Sequence, residues 1–157
     1  MSLSPADLAL VATASDAICR MYVPDWQHVG AAIRATSGRI YAAVNLDAYV
    51  SRCAVCAEAA ALAKAYSEGE RAFDTIVAVR WIGRGKPEVV SPCGICRELL
   101  TDYGDPFVIH SDARGRLGRT RASRLLPARY VRKGEVHPSL AARERQAGRI
   151  RAGSRKR

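Results

Sequence analysis

Apolar and polar positions follow two different periods along the chain, and the switches between them mark out its secondary structure. Ser4-Pro5-Ala6-Asp7 has the order of a helix start: Ser as N-cap, Pro at the first helical position, Asp at the third. Leu8, Val11 and Ile18 then recur at helical spacing, which predicts a helix over 5–20. Residues 29–35, Val-Gly-Ala-Ala-Ile-Arg-Ala, read as a strand. Ser37-Gly38 supplies a turn, and residues 39–45 return as the second arm of a hairpin. The Ala-rich stretch 54–67 predicts a helix that stops before Glu68-Gly69-Glu70. A β-branched apolar run from Phe73 to Trp81 predicts a buried strand. Ser91-Pro92 opens a short helix reaching Asp102, residues 107–110 form a short strand, and a last strand lies near 116–121.

The order α-β-β-α-β-α-β-β predicts an α/β sandwich around a five-strand mixed sheet. The loop from Ser111 to Arg116 is too short for a crossover helix, so the last two strands should pair antiparallel. No internal repeat is present, and 157 residues fit one domain.

Charge divides the chain. Residues 1–110 carry 10 Lys and Arg against 12 Asp and Glu; residues 111–157 carry 15 against 3. The last 19 residues hold seven basic side chains, one Glu and almost nothing large to bury. Such a tail reads either as a solvated terminus or as a contact for RNA, DNA or another anion. We place the domain in 1–134 and a basic extension in 135–157. No apolar run approaches the roughly 18 residues of a membrane span. The N-terminus lacks the basic and apolar regions of a secretory signal, so the expected location is cytoplasmic.

Five cysteines occur: Cys19, Cys53, Cys56, Cys93 and Cys96. Disulfides are disfavoured in that compartment, so close spacing points to metal. Cys53/Cys56 and Cys93/Cys96 are two C-x-x-C pairs, each near a predicted helix start, where the helix dipole favours thiolates. A redox pair is one reading. A closed four-Cys structural zinc is another, and a three-Cys zinc with one open position is the third. Glu58, two residues after Cys56, separates the last two. A structural knuckle has no use for a carboxylate there, whereas a hydrolytic zinc needs one nearby to relay the proton of activated water.

Cys56-Ala57-Glu58 followed by Pro92-Cys93-Gly94-Ile95-Cys96 resembles the zinc-dependent cytidine deaminase superfamily. Residues 29–32, 38–41 and 44–47 are similar to the N-terminal half of the cytidine deaminases, and residues 91–100 are especially close. Residues 125–131, Leu-Leu-Pro-Ala-Arg-Tyr-Val, are similar to the tail of the blasticidin-S deaminases. The resemblance implies a three-layer sandwich with helices on both faces of the sheet, a Zn²⁺ cofactor and a homotetramer. It implies Cys56, Cys93 and Cys96 as zinc ligands, with no ligand role for Cys53. Glu58 is implied as the proton shuttle to ring nitrogen N3 and to the departing ammonia, with attack of activated water at C4.

Asn45 and Asp47 match the family's N-x-E, which binds the ribose hydroxyls; Asp replaces Glu, one methylene shorter. Their other reading is a polar strand end capping the next loop. Where the cytidine deaminases usually carry Arg after the catalytic Glu, this chain has Ala59. Arg97 matches another Arg of the motif and is expected to donate to a thiolate. That would offset the formal −1 of Zn²⁺ with three thiolates. Tyr130 matches an aromatic that approaches the base from a neighbouring subunit, and Trp26 lies near a pocket aromatic of the relatives; both also read as ordinary packing. His28, His110 and His137 have no ligand spacing.

The resemblance therefore implies a small-molecule substrate, a free cytidine-type nucleoside. Blasticidin S or another modified aminopyrimidine is the alternative. A zinc-stabilised RNA-binding protein is a third reading; nucleic acid is not the expected partner, because deaminases of bases in nucleic acid resemble H-x-E at the first motif.

Overall fold

The computed structural model describes residues 3–83 and 87–130. Helix α1 spans Pro5–Met21; Ser4 and Asp7 close a reciprocal capping box at its start, as their spacing predicts. Strands β1 (Val29–Ala35) and β2 (Ile40–Val44) form the hairpin around Gly38. Helix α2 (Ala57–Ser67) leads to β3 (Phe73–Arg80), the central strand. Strand β4 (Glu88–Val90), helix α3 (Gly94–Asp102) and strands β5 (Phe107–Ser111) and β6 (Leu117–Arg121) follow. One-turn 3₁₀ segments occupy Ser51–Cys53 and Ala122–Leu125.

The main path of the sheet runs β2-β1-β3-β5-β6. Among the described strands only β3 and β5 pair in parallel, joined through α3; β5 and β6 are antiparallel as the loop length requires. The five expected strands are all present, and β4 is a sixth. It shares one edge of β3 with β5: β5 pairs with residues 75–77 and β4 with 78–80. Three residues are too few to show a period, so the pattern alone does not reveal β4.

Period-two alternation divides the core into two layers. Ala31, Ile33, Ile76, Ala78 and Val108 face Ala61, Leu62 and Ala65 of α2 and Leu100 of α3. Ala32, Val77, Val79 and Ile109 face Leu10, Ala14 and Ile18 of α1 on the opposite side. The result is α1, sheet, then α2 with α3. Gly30 permits the closest contact of α1 with β1. A Cβ there would stand 2.6 Å from the Ala14 carbonyl oxygen and 2.9 Å from Ile18 Cβ.

One ionic network pins the start of α1 to the sheet. Arg34 donates from Nε and Nη2 to Asp74 Oδ2 (2.9 and 2.6 Å), from Nη2 to Asp7 Oδ1 (3.2 Å) and from Nη1 to the Ala6 carbonyl (2.9 Å). Arg119 adds contacts to Asp7 (3.5 Å) and Asp74 (3.6 Å). Burial resists ionisation of Asp7. Hydrogen bonds from Ser4 and Arg34 outweigh it and hold the carboxyl below its ordinary value; Asp74 is lowered the same way by Arg34 and Thr75.

Candidate active site

The ends of two helices on one face of the sheet define the site. Cys56 is the N-cap of α2 and Cys93 the N-cap of α3, while Cys96 lies buried in the first turn of α3. The predicted helices 54–67 and 91–102 therefore begin later than their composition implies. The chain is extended up to each cysteine, and Val55 is held in a bridge with Leu46.

The three sulfurs lie within 4.8 Å of one another, and Cys56 Sγ is 3.6 Å from Cys93 Sγ. Tetrahedral zinc with bonds of ~2.3 Å separates its sulfurs by ~3.8 Å, so the donor set fits zinc. The electrostatics agree. Burial pushes the Cys96 thiol far above its ordinary range, and the neighbouring Glu58, Cys56 and Cys93 push it further. Burial and Cys93 likewise raise Cys56. Cys56 and Cys96 thus resist ionisation unless a divalent cation compensates the cluster. Cys53 is exposed in its 3₁₀ turn and is not part of the cluster, which leaves the four-Cys reading without its fourth ligand.

Glu58, at the second position of α2, is 6% exposed and is not part of the sulfur cluster. Burial raises its pKa, opposed by its own backbone N–H and a hydrogen bond with Cys96. The acid therefore adjoins the metal position without being counted among the ligands.

The remaining predicted site residues fare differently. Arg97 makes no hydrogen bond to sulfur: Nε donates to the Pro92 carbonyl (2.8 Å) and Nη1 to the Leu125 carbonyl (3.0 Å). Two backbone carbonyls near the start of α3 hold the guanidinium, where the expectation was a thiolate. Asn45 Oδ1 accepts from the backbone N–H groups of His28 (3.0 Å) and Val29 (2.9 Å), and its Nδ2 donates to the Trp26 carbonyl (3.0 Å). Both acceptor positions are filled, leaving one N–H for a sugar hydroxyl. Asp47 Oδ1 accepts from the Ala48 N–H (2.8 Å), which leaves Oδ2 for a ligand.

The Leu46–Val55 pair exchanges two backbone hydrogen bonds (2.9 and 2.8 Å) and brings this segment beside Cys56. Inside the loop it closes, Tyr49 is 97% exposed and meets Trp26 edge-on at 5.2 Å. Sequence reasoning missed Tyr49, since an aromatic in an aperiodic loop gives no signal. Tyr130 is 76% exposed. His137 lies outside the described residues.

The sequence profile described as the cytidine and deoxycytidylate deaminase zinc-binding region matches residues 5–111. A blasticidin-S deaminase from Bacillus cereus is 43% identical over 135 residues, spanning 83% of this chain and 96% of that protein. A cytidine deaminase from Sporosarcina psychrophila is 32% identical over 127 residues, spanning 79% of this chain and 90% of that protein. The crystal structure of a cytidine deaminase from Burkholderia pseudomallei superposes with a TM-score of 0.67 at 27% identity, covering 82% of this chain and all of that one.

Proposed function

The chain belongs to the cytidine and deoxycytidylate deaminase family, and on that premise we propose that it hydrolyses the exocyclic amine of a free cytidine-type nucleoside. Water is added, the ring carbon gains a carbonyl and ammonia leaves. One observation carries the reading: three cysteine sulfurs gathered at two helix starts, with a buried carboxylate beside them that is outside the cluster.

Cys56, Cys93 and Cys96 would hold the zinc. When bound, it supplies a Lewis acid that lowers the pKa of a water to about 7. Glu58 would take one proton of the attacking water and pass it to ring nitrogen N3, then take the second proton from the hydroxyl left on C4 and pass it to the departing amine, so that the carbonyl forms as ammonia leaves. Its burial keeps bulk water from competing for the proton. Asp47 Oδ2 and the remaining Nδ2 hydrogen of Asn45 are the polar groups offered to a sugar. Trp26 offers a flat apolar surface beside them.

A second reading shares the chemistry and differs in what the ring carries. The 43% identity to the Bacillus cereus blasticidin-S deaminase and Ala59 after Glu58 favour a modified aminopyrimidine such as blasticidin S. Ammonia release by the zinc-loaded chain from cytidine, deoxycytidine, cytosine and blasticidin S separates the two. Turnover of cytidine or deoxycytidine is expected; turnover of blasticidin S alone selects the second reading, and silence toward all four overturns both.

We assign residues 1–134 to the catalytic domain and 135–157 to a basic extension, a boundary outside the described residues. The assembly is read as a homotetramer, the state that the deaminase resemblance implies, with Tyr130 exposed where a neighbouring chain could meet it. A monomeric mass in solution refutes it. Among the described residues no helix is long and apolar enough to cross a membrane.

A further inference from the structure

Trp26 sits on a tight loop. Val23 and Gln27 exchange backbone hydrogen bonds (3.1 and 2.9 Å), Trp26 N–H donates to the Val23 carbonyl, and Asp25 lies in the left-handed region at φ 59°. Three backbone groups just after this turn, the Trp26 carbonyl and the N–H groups of His28 and Val29, converge on the single side chain of Asn45. The amide orientation is fixed by its partners, since oxygen must face the two N–H donors and nitrogen the carbonyl. The Asn45 backbone N–H also donates to Val29 (2.9 Å). One residue later, Leu46 is clamped to Val55, the neighbour of Cys56.

We propose that Asn45 is a positioning residue: it locks the Trp26–Val29 segment to the strand end that the Leu46–Val55 pair ties next to Cys56, and so fixes the Trp26–Tyr49 ring pair as an aromatic wall of the candidate pocket. Asn serves all three groups at once. Ser is too short to bridge three groups. Asp accepts from both N–H groups but sets an oxygen against the Trp26 carbonyl. The wall's effect on substrate rests on the deaminase reading above; the anchor itself does not.

The test uses full-length zinc-loaded protein carrying Trp81→Phe, so that Trp26 is the only remaining tryptophan. Asn45→Ala and Asn45→Asp are compared in that background. Amide exchange at His28 and Val29 should accelerate about five-fold in Asn45→Ala, the factor for losing one ordinary hydrogen bond. In Asn45→Asp those amides should keep their protection while acrylamide quenching of Trp26 rises, because only the bond to the Trp26 carbonyl is lost. The second variant keeps the test valid if the first fails to fold. A loss of kcat/KM should persist with 2′,3′-dideoxycytidine, which lacks the sugar hydroxyls that the remaining Nδ2 hydrogen of Asn45 could reach. Unchanged exchange and quenching, or a loss confined to the substrate with sugar hydroxyls, overturns the proposal. Failure of the deaminase reading looks different: the parent protein releases no ammonia, while exchange and quenching still report on the anchor.

Discussion

Replacing Arg34 with Met keeps the aliphatic stem and removes the charge that joins α1 to the sheet. The Asp7 side chain is 5% exposed and Arg34 15%, so the variant strands a buried carboxylate. Breaking a buried pair this way costs about 3–5 kcal/mol when nothing compensates. Here the Asp7 carboxylate keeps its bond from the Ser4 N–H and the nearby Arg119, which places the loss at the lower end, about 3 kcal/mol. Asp74 is 37% exposed and adds little, since solvent screens it. The pH dependence follows from the lowered pKa values of both carboxyls. A carboxyl held below its ordinary value of 3.8 stabilises the fold above that pH, and the contribution fades as pH falls through the folded value. Unfolding free energies of parent and variant from urea titrations should therefore differ by about 3 kcal/mol at pH 7 and converge only as pH falls through the lowered folded value of Asp7, beneath 3.8, where the carboxyl is protonated. An equal difference at both pH values would show that Arg34 acts through packing, and the ionic argument would fail.

Glu58→Gln should lower kcat by about 10²–10⁴ while the protein retains one zinc per chain by metal analysis, because the carboxylate moves protons and does not ligate. Loss of zinc along with activity would make Glu58 a ligand instead. Cys53→Ser should leave zinc affinity unchanged in chelator competition, whereas Cys93→Ser should weaken it by more than the ~10–100-fold typical of outer-sphere partners. Gly30→Ala forces a methyl against the Ala14 carbonyl and Ile18, and should cost about 1–3 kcal/mol in urea unfolding.

Where partners are close in sequence, the sequence was informative. The Ser4–Asp7 capping box, the hairpin around Gly38, and the antiparallel β5–β6 pair all follow from spacing. So does the acid two residues from Cys56. The partners of Arg34 lie 27 and 40 residues away, those of Asn45 16–19, and the Leu125 carbonyl 28 residues beyond Arg97. No local pattern encodes such contacts, since they exist only once the sheet has brought distant segments together. The helix starts were misplaced for a related reason. Composition favours helix from residue 54, but the Leu46–Val55 bridge holds the chain extended until Cys56. Tertiary pairing overrides propensity at the metal ligands.

Charge balance at the site leads to a last expectation. Zinc with three thiolates carries a formal −1, Ala59 supplies no cation, and the Arg97 guanidinium lies on carbonyls. The starts of α2 and α3 remain, each worth roughly +0.5 of a charge, together enough to offset the excess. Arg97 then acts by geometry: it ties Pro92, the residue before the Cys93 cap, to Leu125. Charge and geometry are separable, because Lys keeps the charge but lacks the fork that reaches two carbonyls at once. Arg97→Lys should therefore lose zinc affinity much as Arg97→Ala does, by about 10–100-fold in chelator competition, the range for partners that orient a ligand. If Lys instead preserves the affinity that Ala loses, the cation itself supports the thiolates, and the two helix ends do not suffice.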